Sequence, residues 1–435
     1  MFEKTFCSSP WFHVRLTYDG GFEKCRWTKN RETQDNVQTT SLLRYFNSDD
    51  MNQFRQQMLS GNAPEECETC HYQDQFGKVS GRKKQLLKSG VREEDFFNSF
   101  LSSPHFKDFK FSYASYGQTT RTPVDLQADL GNLCNSACIM CHPRASSRLV
   151  QDYKKLSKTS RLFIEPETYR SWVDSPWAMD SFLKDLSKIE DLKYLHLLGG
   201  ETLYNRAFYD ICNHLIRTGQ SGQMILGTTT NGTIYTEELE QLIPEFEEFH
   251  LGISIESVTA LNDYIRYPSE ISSVLANIDR FLKLREQHKG LHLSLRITPN
   301  IFTVYELDQL FEYMIKNNIT AESCDILHEP ECLRIELLPD DIRQEIVYKL
   351  ETLVAKYSLS RTGVVNVRNH NQTHLVIADN VIEYLNFIKN FEVPDNKTAS
   401  LKQLVEFLRS FESLRNNRIT DYAPRYKDFL ASIGY

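Results

Sequence analysis

The chain has no run of roughly 20 apolar residues, the length that a membrane-crossing helix needs, so it is not expected to span a bilayer. Its first residues, MFEKTFCSSPWF, lack the basic stretch followed by an apolar run that marks a secretory signal. The expected location is therefore the cytoplasm. Positive charge is not in excess: 50 Lys and Arg stand against 58 Asp and Glu, a formal net charge of −8. Bulk nucleic acid is thus an unlikely main partner. There is no internal repeat, no low-complexity segment and no recognisable peptide-binding winged-helix segment at the N-terminus.

What is present fits a soluble globular protein: 40% hydrophobic and 25% charged residues. At 435 residues the chain is too long for one ordinary core. Ten cysteines in a reducing compartment do not form a disulfide framework; clustered, they point to metal or redox chemistry. The expected divisions are a Cys-rich module at 1–95, a linker at 96–119, a barrel at 120–330 and a mostly helical region at 331–435.

The middle region alternates short apolar runs with amphipathic stretches. VDLQADL (124–130), YLHLL (194–198), MILGTT (224–229), HLGISIE (250–256), LHLSLRIT (291–298) and CDILH (324–328) read as six strands. Between them lie helical patterns, such as Ile271, Leu275, Ile278 and Leu282 ahead of Gly290, and a capping box at Thr303 and Glu306. Six strands alternating with helices imply an α/β fold with a parallel sheet, open or closed into a partial barrel. Loops after strand C-termini form the active face of such folds. Three of those loops carry LCNSACIMC, Gly199-Gly200-Glu201 and Asn231-Gly232, which suggests one shared site.

In LGNLCNSACIMCHPR, Cys134, Cys138 and Cys141 present three thiolates without a fourth. Structural zinc and electron-transfer cubanes usually take four ligands. Three can hold three corners of a 4Fe–4S cubane and leave one iron open to an outside amine and carboxylate. Zinc or three unrelated thiols are the plainer alternatives. This spacing resembles the signature of the radical S-adenosylmethionine (radical SAM) superfamily. The resemblance implies a partial (β/α)6 TIM-like barrel and a 4Fe–4S cluster that binds SAM and passes it one electron. A 5′-deoxyadenosyl radical then abstracts a substrate hydrogen, and the first electron comes from a flavodoxin or ferredoxin. The family's Gly-Gly-Glu-Pro is matched by Gly199, Gly200 and Glu201, with Thr202 where proline is typical. The glycines would let backbone approach a ligand, and Glu201 would pair with its ammonium. By the same resemblance, Ser254 and Glu256 contact the SAM ribose. Arg296, within an apolar strand, needs an anionic partner: the SAM carboxylate or a structural carboxylate. Asn231 and Asn300 would line the site. His142 reads as a loop histidine, with cluster shielding as the alternative.

The N-terminal region holds Cys7, Cys25, Cys67 and Cys70. A hairpin turning at Asp19-Gly20-Gly21 would bring Cys7 to Cys25, and Cys67-x2-Cys70 is a knuckle for one metal centre. Four ligands suggest a closed site. The region resembles the twitch and SPASM auxiliary-cluster modules, through the PW after Cys7, the DG turn and the Cys-x2-Cys. That implies a second, auxiliary iron–sulfur cluster, with structural zinc as the alternative.

Cys212 sits on an apolar helical stripe and reads as core. Cys332 is a candidate catalytic hydrogen-atom donor near the open face, with a packed thiol as the default. The basic run holding Lys78, Arg82, Lys83, Lys84, Lys88 and Arg92 could receive phosphates, or be a solvated helix face. Three functions compete: modification of a peptide or protein side chain, modification of a small molecule such as a nucleotide or activated sugar, and a non-catalytic zinc-stabilised interaction protein.

Overall fold

The computed structural model describes residues 2–28, 35–75, 80–166, 170–324, 326–361 and 373–435. Lys78 and Asp325 lie outside them. Eight strands form one sheet: β1 His13–Leu16, β2 Phe22–Glu23, β3 Asp125–Asp129, β4 Tyr194–Leu198, β5 Ile225–Thr230, β6 Glu248–Ser254, β7 Leu291–Ile297 and β8 Thr320–Cys324. Their order is β2-β1-β3-β4-β5-β6-β7-β8. All neighbours are parallel except β1 and β2. Strands β3 to β8 with their crossover helices are the partial barrel.

The alternation read from sequence explains the strands. Leu195 and Leu197, then Phe249, Leu251 and Ile253, are buried in the main core, while Tyr194, His196, Leu198, Glu248, His250 and Ser254 are half-buried on the other face. The sixth barrel strand differs from expectation: it is Thr320–Cys324, not 324–328. Asn318, in the left-handed conformation, closes the helix Leu307–Asn317 and lets the chain enter the sheet at Thr320. Ile326 and Leu327 pack against the main core from outside the strand. The capping box at Thr303 and Glu306 is also absent. Glu306 instead accepts hydrogen bonds from Ser257 and from Thr259 (2.6 Å).

The C-terminal helices Asp340–Tyr357, Thr373–Asn390 and Lys397–Arg415 share the barrel's core through Ile346, Ile388, Leu404 and Phe411. The N-terminal module has a second core of Phe6, Trp11, Phe12, Phe54, Met58, Phe96 and Phe109. The stretch expected as a linker supplies two of those residues, from the helices Phe96–Ser102 and Phe106–Ala114. The expected hairpin forms, with the Thr17 amide donating to the Gly21 carbonyl and that of Gly20 to Thr17. Gly20, at φ +91°, needs its missing side chain: a Cβ there would meet Trp172 and Asn36 at 2.8 Å. The hairpin is not a free appendage. β1 lies parallel to β3 in matched register, His13 opposite Asp125.

Candidate active site and auxiliary metal centre

The stretch 130–147 leaves the C-terminal end of β3 and is pinned from four sides. From β4, the amides of Gly200 and Glu201 donate to the carbonyls of Gly131 (2.9 Å) and Leu133 (2.8 Å). From the end of β5, Asn231 Nδ2 donates to Asn135 Oδ1 (2.7 Å) and Ser136 Oγ (2.9 Å). From beyond β6, the carbonyls of Tyr267 and Ile265 accept from Ala137 (2.6 Å) and Ile139 (2.9 Å). From the C-terminal helix, Arg415 donates to the Ala137 carbonyl (2.6 Å) while paired with Asp152 (2.8 Å). Loop backbone that would otherwise compete for water is thus satisfied by the barrel.

Cys134, Cys138 and Cys141 lie close enough to act on one another electrostatically. Burial pushes the Cys134 thiol up to about 11 and the Cys141 thiol to about 12, and the neighbouring cysteines add to both. Arg266 opposes this at Cys141. Its guanidinium is 11% exposed, feels all three cysteines and pairs with Glu256 at 3.0 Å. The sequence reading missed Arg266, since a lone arginine in YIRYP has no pattern to mark it. Only the fold carries it to the thiols.

The double glycine packs directly on the cysteine loop. A Cβ on Gly200 would meet the Leu133 carbonyl oxygen at 2.5 Å and that of Asn132 at 2.6 Å. The close approach is to the cysteine loop itself. Glu201 is 1% exposed. Its carboxylate accepts from Thr230 Oγ1 (2.6 Å), the Asn231 amide (2.6 Å) and the Leu203 amide (3.1 Å). Both oxygens are therefore engaged within the chain, and burial raises its pKa. Glu256 is likewise internal, accepting from the Thr298 amide (2.9 Å) and Arg266. Ser254 is half-buried at the end of β6, opposite Arg296 in register. Arg296 is half-buried rather than buried. Asn300 is fully buried, accepts from the amides of Phe302 and Thr303, and reaches the Met140 sulfur at 3.8 Å. His142 is exposed and caps the turn that follows the cysteines, accepting from the Arg144 amide.

Cys332 is 3% exposed and belongs to the main core, and burial pushes its thiol up to about 12. The turn Glu331–Leu333 carries it inward together with Leu333. Cys212 is core as expected.

The second cysteine set converges at the other end of the sheet. Cys7, Cys25, Cys67 and Cys70 line one cavity with Trp27, His71 and Arg82. Cys7 and Cys25 flank the open end of the β1–β2 hairpin, where β1 begins beside the start of β3. Burial raises all four thiols, that of Cys25 to about 11. Four thiols lining one cavity, and three on one loop acting on one another, are donor sets that fit iron–sulfur clusters.

The basic run is largely neutralised. Arg82 is 4% exposed and pairs with Asp74 (2.7 Å) and Glu93 (2.6 Å). Lys83 pairs with Glu93 (3.0 Å), Lys88 with Asp125 (3.0 Å) and Arg92 with Asp95 (3.3 Å).

Two family models match. The radical SAM superfamily model covers residues 129–295, and an iron–sulfur cluster-binding domain (SPASM) covers residues 7–71. This chain carries a radical SAM domain and an auxiliary-cluster module. The cofactors of these domains are a SAM-binding 4Fe–4S cluster, SAM and an auxiliary iron–sulfur cluster. No curated protein matches the chain. Among solved structures it is similar to anSMEcpe with bound AdoMet, at TM-score 0.37 and 14% identity over 54% of this chain and 61% of that one. It is also similar to Streptococcus suis SuiB bound to S-adenosylmethionine, at TM-score 0.32 and 12% identity over 79% of this chain and 69% of that one. SuiB bound to its precursor peptide SuiA gives a TM-score of 0.34 at 12% identity, over the same shares. The chain thus spans about three-fifths of the length of anSMEcpe.

Proposed function

We propose that the chain removes a hydrogen atom from a side chain of a peptide or protein substrate at the C-terminal face of the barrel. The observation that carries the radical reading is the loop 130–147, pinned from four sides with three thiols and the Arg266 guanidinium converging on one another. Cys134, Cys138 and Cys141 would hold the SAM-binding cluster, and Cys7, Cys25, Cys67 and Cys70 the auxiliary one. When bound, the cluster and SAM supply the oxidising carbon radical. The chain's own part is to hold and shield that chemistry. Asn231 and the Gly199–Glu201 turn fix the loop, Arg266 offsets negative charge among the thiols, and Leu130, Ala137 and Ile139 keep water from its base.

A peptide or protein is favoured over a nucleotide by the basic run. Phosphates would need free cations there, and four of the five described cations of the run, Arg82, Lys83, Lys88 and Arg92, are paired with carboxylates. No helix among the described residues is long and apolar enough to cross a membrane. We place the enzyme in the cytoplasm, with a flavodoxin or ferredoxin as electron donor.

The test is anaerobic SAM cleavage by the reconstituted chain with a strong reductant, offered either a pool of deuterated peptides or deuterated nucleotides and sugars. Deuterium in 5′-deoxyadenosine from the peptide pool alone supports the reading. Deuterium from the small molecules alone overturns the substrate class. No SAM cleavage with any partner or reductant overturns the radical assignment.

A further inference from the structure

The half-buried face of the sheet carries a cluster that neither cysteine set explains. Glu248 and His250 stand on alternate residues of β6, so they share a face, opposite the one on which Phe249 and Leu251 enter the main core. His292 on β7 is the direct register partner of His250, and their rings stand 4.7 Å apart. Glu248 Oε2 lies 2.6 Å from His250 Nε2 and 3.7 Å from His292 Nε2. One donor atom from each of the three falls within 4.8 Å of the others.

We propose that Glu248, His250 and His292 bind one divalent first-row metal ion, such as zinc or ferrous iron, inside the partial barrel. Two imidazoles and one carboxylate on one side of an ion leave its remaining positions open. Donors about 2.1 Å from a zinc ion stand roughly 3 to 3.5 Å apart. The observed separations need only a small side-chain adjustment to reach that. The scaffold is rigid, since two adjacent, fully paired strands supply all three ligands. The site is also reachable: the side chains of Glu248, His250 and His292 are 35%, 23% and 19% exposed. Next to this pair in the same register row, β5 carries Gly227 and β4 carries His196. A glycine there keeps space beside the imidazoles, since a Cβ on Gly227 would stand 3.3 Å from the His196 ring.

The site stands near the N-terminal ends of β6 and β7, whereas Cys134, Cys138 and Cys141 follow the C-terminal end of β3. Open coordination positions there would take an oxygen donor, such as a carboxylate or carbonyl.

The test loads the anaerobically reconstituted full chain with zinc sulfate and reads zinc per chain together with zinc K-edge absorption. The expected result is about one zinc with nitrogen and oxygen neighbours only. His292→Ala and Glu248→Gln should each weaken it at least 10-fold while iron content stays unchanged. Zinc bound only through sulfur, no zinc at all, or an undiminished nitrogen–oxygen site in both variants overturns the proposal. Should His292→Ala also lose iron, the near-isosteric Glu248→Gln decides alone. The readout needs neither SAM cleavage nor a substrate, so it stands or falls apart from the proposed function.

Discussion

The two cysteine sets are gathered by opposite routes. Cys134, Cys138 and Cys141 sit on one short loop, and their position comes from hydrogen bonds thrown across to it by β4, β5, the turn after β6 and the last long helix. Cys7, Cys25, Cys67 and Cys70 come from separate elements and are brought together by packing. Phe6 meets Phe109 at 5.2 Å edge-on, Trp11 meets Phe109 at 5.3 Å, and the Trp11 indole donates to Ser112 (2.8 Å). A loop held by directional bonds can place three ligands and leave a fourth position open. A site held by a packed core closes around its metal. The lesson is that the open and closed coordination are built into the supporting structure as well as into the ligand count.

Removing each set in turn is the strongest way to break the comparison. Cys134→Ala with Cys138→Ala and Cys141→Ala should lower iron from about eight to about four per chain and abolish SAM cleavage, with little change in fold. Replacing Cys7, Cys25, Cys67 and Cys70 should also halve the iron, but with a lower thermal midpoint, because Cys7 and Cys67 pack into the N-terminal core. Iron and sulfide analysis beside circular dichroism reads both. Equal thermal loss in the two sets would undo the contrast.

A smaller perturbation strikes the loop's supports and spares its ligands. Gly200→Ala drives a Cβ into two carbonyl oxygens of the loop at 2.5 and 2.6 Å, neither of which belongs to a flexible side chain. Iron at the SAM cluster should fall several-fold while the auxiliary iron stays. Asn231→Ala removes two donated bonds, to Asn135 and Ser136, and two accepted from the Thr233 amide and hydroxyl, in a buried position. At about 1 kcal/mol per bond, the expected loss is about 4 kcal/mol of stability, read by denaturant unfolding. A Gly200→Ala protein that binds both clusters normally would show that the glycine serves a ligand instead.

Much of this contrast is legible in the sequence. Five of the six barrel strands are found where apolar runs end at glycine or a polar turn, and the hairpin turns at Asp19-Gly20-Gly21 as its residues require. The sixth strand is misplaced because Ile326 and Leu327 look like a strand, while the true one, TAESC, buries the small Thr320 and Ala321 side chains and leaves no apolar alternation to read. The pairing of β1 with β3 is invisible, since it joins residues far apart in the chain. Arg266, Arg415 and the inward partners of Glu201 and Glu256 escape for the same reason: the charge is legible, its partner is not. His250 and His292 alternate visibly with apolar residues, but only the register sets them side by side.

The last and smallest test concerns Glu256, which ties Arg266 to the barrel. Burial raises its carboxyl from 4.5 to about 7, against the opposing pull of Arg266 and the Thr298 amide. A carboxyl whose folded pKa lies above its unfolded one contributes stability that is full below the unfolded value and lost as pH rises through the folded one. The window here runs from about 4.5 to about 7, and a shift of that size corresponds to about 3 kcal/mol. The thermal midpoint of the unmodified chain should therefore fall between pH 5 and pH 8 relative to that of Glu256→Gln, which has no proton to lose. The comparison lies in the slope with pH, because the glutamine also weakens the contact with Arg266 and shifts the whole curve. Parallel curves would mean that Arg266 holds the carboxylate charged throughout, and that its charge is spent on Glu256 before it reaches the three thiols.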